Sequence, residues 1–97
     1  MRKITENSIR AFNNNEKFNN GNMVVELIPN VTILKLHGNK IAHKFLDSGK
    51  LFINTCGWNT VTTRERLNGL PNVSVNQKNH VLYLNGIEWN GKHIEVK

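Results

Sequence analysis

Apolar positions along this chain switch between the period of a helix and the period of a strand, and each switch marks an element. From Thr5 to about Asn15, Ile9 and Phe12 share one helical stripe, Thr5 stands where a cap belongs, and Asn13-Asn14-Asn15 ends the run. This predicts a short amphipathic N-terminal helix, with Phe18 packing back on the same core. After the Asn20-Gly21-Asn22 turn, Met23 to Leu27 reads as a strand stopped by Pro29-Asn30. Val31–His37 and Lys40–Leu46 then flank Gly38-Asn39, whose leading glycine suits a type II′ hairpin turn. Closing the ladder there sets Leu36 opposite Ile41, Leu34 opposite His43 and Thr32 opposite Phe45, a shared apolar face. Lys35, His37, Lys40 and Lys44 fall on the other, basic face, because strand side chains alternate.

Leu51 to Thr55 continues as a strand after Asp47-Ser48-Gly49-Lys50. A short helix is expected from about Thr63 to Asn68, with Thr62 and Glu65 spaced as a capping box, Gly69 as the left-handed end and Pro71 as the stop. The remainder reads as a meander. Val73–Val75 and His80–Leu84 flank an Asn76–Asn79 turn, Asn85-Gly86 is a type I′ signal, and Ile87–Trp89 and Lys92–Val96 follow. The first Asn-Gly turn puts Leu82, Leu84, Ile87 and Trp89 on one face. The second leaves so short a strand between them that one of the two must be a looser loop. The sum is an α+β domain: a mainly antiparallel sheet of about six or seven short strands, with the two helices packed on it.

Composition narrows the function classes. Ninety-seven residues form one domain with a modest core. No signal-peptide pattern and no apolar run of bilayer length appears, so the expected location is cytoplasmic and no membrane is involved. The single cysteine, Cys56, excludes an internal disulfide and reads as a small buried filler beside Gly57. A net charge of +6 favours an acidic partner: nucleic acid, a nucleotide or an acidic protein surface. Asparagine supplies 17 of 97 residues, which an AT-rich genome explains without any selected chemistry.

Catalytic and metal motifs are missing. His37, His43, His80 and His93 show no helical pairing, and the hairpin register does not oppose the first two, so no metal site is expected. No phosphate loop, nucleophile elbow or Cys-His pairing is present, no cofactor is implied, and an enzyme is not expected. Binding chemistry is concentrated between Gly57 and Leu70. Trp58 can stack a planar ring, while Thr60, Thr62 and Thr63 carry hydroxyls. Arg64 and Arg66 lie near a helix start and can grip phosphate or carboxylate. The competing reading is a well-capped surface helix over a core tryptophan, with both arginines exposed.

Arg2-Lys3-Ile4-Thr5 with Ala11-Phe12, Leu36–Ala42, Gly57–Leu70, and Tyr83–Gly86 with Trp89-Asn90-Gly91 together resemble a group of small hypothetical proteins of tailed bacteriophages. That resemblance implies a phage origin and the cytoplasm of the infected host cell. It carries over no activity and no site residue. The expected function is non-enzymatic binding of nucleic acid or of a host nucleic-acid-handling protein. Two alternatives stay open: a nucleotide-signal sponge built on Trp58, Arg64 and Arg66, and a protein inhibitor of a host enzyme. The oligomeric state, a homo-oligomer included, stays open too.

Overall fold

The structure, a computed structural model, describes residues 2–96. Helix α1 runs Lys3–Asn13 and starts two residues before the expected cap. Arg2 occupies the N-cap position without a side-chain cap bond, because Thr5 lies inside the helix and is wholly buried. Thr5 Oγ1 instead donates to Glu65 Oε1 at 2.6 Å. Thr5, Ser8, Ile9, Ala11 and Phe12 form the buried stripe. Asn15, at φ 56°, turns the chain out of the helix in the left-handed region that asparagine tolerates.

Five antiparallel strands follow: β1 (Phe18–Asn20), β2 (Met23–Ile28), β3 (Val31–Leu36), β4 (Asn39–Phe45) and β5 (Leu51–Ile53). Phe18 therefore begins a strand that pairs with β2 as well as packing against the core. Helix α2 spans Val61–Leu67. β6 (Val75–Lys78), β7 (Val81–Leu84) and β8 (Ile87–Glu88) make a separate three-stranded sheet, while β9 (Ile94–Val96) pairs with β5 and completes a six-stranded sheet ordered β1-β2-β3-β4-β5-β9. The architecture is α+β.

The β3–β4 hairpin closes one residue earlier than its sequence suggests. Leu36 pairs with Asn39, so His37 and Gly38 form the loop, at φ 52° and 81°. Positive φ at both central positions is a type I′ turn, not type II′. A bulge then follows: Lys35 opposes Lys40 but Leu34 opposes Ala42, leaving Ile41 as the extra residue. Ile41 and Ala42 are both buried in the core with Met23, Val25, Leu34 and Leu36. Beyond the bulge the alternation is inverted. His43 and Phe45, expected beside Leu34 and Thr32, instead oppose Ile33 and Val31 on the face turned away from the core.

Several other local expectations are overturned for tertiary reasons. Thr60, not Thr62, caps α2 by accepting from Thr63 N–H at 3.1 Å, because Glu65 is drawn to Thr5 and Arg66 rather than back to its own helix start. Gly69 has no left-handed conformation; Asn72 does, at φ 61°. Gly69 is needed for contact, since a Cβ there would stand 2.8 Å from Ile9 Cγ1 on α1. The turn between β6 and β7 is Asn79-His80, both at positive φ, so Gln77 and Lys78 extend the strand. Leu82, Leu84 and Trp89 are buried as expected, but Ile87 is 74% exposed on the short β8. The last segment leaves the meander because Thr55 bonds Gly91 O through both its N–H and its hydroxyl, each at 2.9 Å. That clamp delivers β9 to β5. Cys56 is only half-buried, at φ 56°, with its Sγ donating to Lys40 O.

Candidate binding sites

The Gly57–Leu70 segment splits into a part that faces a cavity and a part that holds the fold. Trp58 is 61% exposed, so it is not a core aromatic. With Thr60, Thr62 and Thr63 it lines one side of a cavity of about 470 Å³. Leu36, His37, Asn39 and Ile41 of the hairpin end line the other, with Thr55. The sequence-derived tryptophan and threonines are thus brought together, and His37 joins them from the set assigned to the basic face.

Neither arginine belongs to that cavity. Arg64 Nη1 bonds Asn59 Oδ1 at 2.8 Å and Gln77 Oε1 at 2.9 Å, reaching across to β6. Arg66 is 1% exposed and holds α2 against α1: Nη1 donates to Thr5 Oγ1 at 2.7 Å and to Glu65, and Nη2 approaches Asn22 Oδ1 at 3.4 Å. Its Nε and Glu65 Oε2 are buried without a partner. Burial pushes the Glu65 carboxyl upward, but hydrogen bonds from Thr5 and Arg66, the Arg66 charge and the Arg2 backbone outweigh it and hold the group below the usual carboxylate value. The expectation of a phosphate-gripping arginine is therefore overturned for Arg66, while Arg64 stays partly in water. An arginine taken out of water must be paired, and once paired it is not free for a ligand.

The expected basic face is also divided. Lys44 lies on the core side, where Nζ donates to Phe12 O and Asn13 O at 3.2 and 3.3 Å and sits 5.1 Å from the Phe12 ring centroid. A cation there satisfies the carbonyls at the end of α1 and complements the helix dipole. Burial lowers its pKa. Lys35 pairs with Glu26 at 2.5 Å. Lys40 and His37 are exposed, as expected. The bulge explains the division, since it moves every residue after Ile41 to the opposite face.

The same inversion builds a surface that alternation from an unbulged hairpin does not reveal. His43 and Phe45 of β4, Phe52 of β5 and His93 beside β9 gather on the outer face of the large sheet. The His43 and Phe52 rings stack at 5.1 Å and 11°, His93 lies 5.0 Å from each, and Phe45 meets His43 and Phe52 edge-on at 5.4 and 5.6 Å. Burial, then the nearby His93 and Lys40 charges, lower the His43 pKa. Ile33 lies buried among this face's strands but outside the main core. The trace of this arrangement in the sequence is the adjacent apolar pair Ile41-Ala42, which breaks strand alternation and signals a bulge.

No helix among the described residues is long and apolar enough to cross a membrane. No curated protein and no solved structure matches the chain. A family model described as the Kyanoviridae Gp96 protein matches residues 1–96. With nearly its whole length matched, the chain belongs to the Kyanoviridae Gp96 family of phage proteins.

Proposed function

We propose that this phage protein is a non-enzymatic binder of single-stranded nucleic acid, acting in the cytoplasm of the infected host cell. The observation that carries the reading is the ring cluster on the uncovered sheet face, His43, Phe52 and His93 with Phe45 at its edge. Aromatic faces on an open sheet stack unpaired bases irrespective of sequence, and a nearby cation tracks the backbone. Lys40 supplies that cation beside His43, and the chain's net charge of +6 favours the encounter. Duplex binding fits less well, since a flat sheet face presents no helix or ribbon to a major groove.

The test is fluorescence anisotropy with mixed-sequence single strands of DNA and RNA. Binding should weaken steeply with salt. Phe52→Ala should weaken it about 5- to 150-fold, the cost of one lost stacking platform. A protein that binds no strand, or binds equally well without Phe52, does not have this function. Should it then capture a host nucleic-acid-handling protein in a manner insensitive to nuclease, the face is a protein interface instead.

A further inference from the structure

A cavity lies between the β3–β4 turn and Trp58, on the opposite side of the hairpin from the ring cluster. Its floor is Leu36 and Ile41, which belong to the core side of the sheet, so it shares no residue with the strand-binding face. We propose that it holds a single uncharged nucleobase ring, stacked on Trp58. This site goes beyond strand binding on the sheet and does not depend on it.

Three features of the lining define the ligand class. Trp58, largely exposed at the cavity wall, offers a broad π face that a planar ring covers. The volume, about 470 Å³, falls within the range of small-molecule sites. The polar groups are hydrogen-bonding types. Thr60 and Thr63 are bonded to each other at 3.0 Å, and Thr55 is committed to Gly91. His37, Asn39 and Thr62 supply the remaining polar groups. An imidazole, a carboxamide and a hydroxyl offer the donors and acceptors that the edge of a base requires.

The lining also says what is refused. It contains no lysine or arginine. Arg64 is turned away to Asn59 and Gln77, and Arg66 is buried behind α2. A phosphate entering this cavity would leave its hydration with no lysine or arginine to receive it, so the site favours the ring over the phosphate. The occupant is either a free nucleoside or the terminal base of a strand.

Tryptophan fluorescence distinguishes these sources. Trp89 is buried, with its Nε1 donating to Lys92 O at 2.8 Å, so ring stacking should be reported by Trp58. Titration with each common nucleoside, its 5′-monophosphate and a short oligonucleotide of the same base should quench the parent's emission. Monophosphates should bind no tighter than nucleosides. Trp58→Ala removes the reporter, so its nucleoside binding is read by titration calorimetry and should be about 5- to 150-fold weaker than the parent's, with the circular dichroism spectrum unchanged. His37→Gly, which keeps the positive-φ turn, should weaken it too. Quenching by nucleosides identifies a free ligand; quenching by oligonucleotides alone identifies a strand terminus. Binding that survives Trp58→Ala unchanged, absence of any quench, or a clear preference for the monophosphate would overturn the proposal. Phe52→Ala separates the two sites: it should leave nucleoside binding intact while weakening strand binding to the sheet.

Discussion

Arg66 shows how one side chain can change from ligand candidate to scaffold. Its guanidinium joins Thr5 on α1 to Glu65 on α2, and its removal would leave Thr5 and Glu65 short of a charged donor inside the protein. Arg66→Ala should therefore cost about 2–3 kcal/mol, the scale of buried charge-assisted hydrogen bonds. Arg66→Lys should rescue little, because an ammonium cannot reproduce the planar fork. Arg64→Ala, which gives up half-exposed bonds, should stay within about 1 kcal/mol. Urea unfolding checks all three, and equal losses for Arg64 and Arg66 would contradict this division. His43 carries a pH signature. Its folded pKa lies below the ordinary value, first through burial and then through His93 and Lys40. As pH falls through the ordinary histidine value of about 6.5, the unfolded chain takes up a proton that the folded chain resists, so stability is lost. Glu65, with its pKa lowered in the fold, adds a loss only at lower pH, as that carboxylate is protonated. Thermal unfolding across this range should show the first slope vanish in His43→Phe while the second persists.

At the scale of elements, the β3–β4 turn makes a discriminating prediction. A type I′ turn at His37-Gly38 needs positive φ at both positions. His37→Val and Gly38→Val should each destabilise by about 1–2 kcal/mol, the cost of the left-handed region to a branched side chain. Asn39→Val should be tolerated, because Asn39 already belongs to β4. A type II′ turn at Gly38-Asn39 would leave position 37 indifferent. The helix pair has a comparable weak point in Gly69. Its φ is ordinary, yet Gly69→Ala should cost about 1–3 kcal/mol by overpacking against Ile9. No loss in melting temperature would mean that α1 and α2 can separate without penalty.

For the whole molecule, net charge predicts an attraction to acidic partners but not where that attraction acts. The bulge decides the location, by leaving Lys40 on the outer face and turning Lys44 to the core side. Lys40→Gln should lower the log–log salt slope of single-strand binding by about 0.7, one phosphate contact. Lys44→Gln should leave the slope unchanged and cost stability, because its ammonium closes the end of α1. Lys35→Gln should change the slope less than Lys40→Gln, since Glu26 already neutralises Lys35. Equal slope changes for Lys40 and Lys44 would place both lysines on the binding surface and contradict the register.

The features legible in the chain alone are local. The apolar periods identified the first helix and most strands, cap and stop signals placed the second helix, the Asn-Gly pair at Asn85-Gly86 identified a type I′ turn, and residues Trp58 to Thr63 marked one wall of the cavity. Each of these depends on chemistry within a few residues. Long-range contacts settled the transfer of β9 to the large sheet and the burial of Arg66, while the bulge at Ile41, whose trace is the adjacent pair Ile41-Ala42, turned the outward face. Thr5 and Arg66 are 61 residues apart, and Thr55 and Gly91 are 36. The capping residue and the edge strand were therefore set by partners that no short window contains. Local preferences of a few tenths to about 1 kcal/mol yield to a core contact or a buried charge pair worth more.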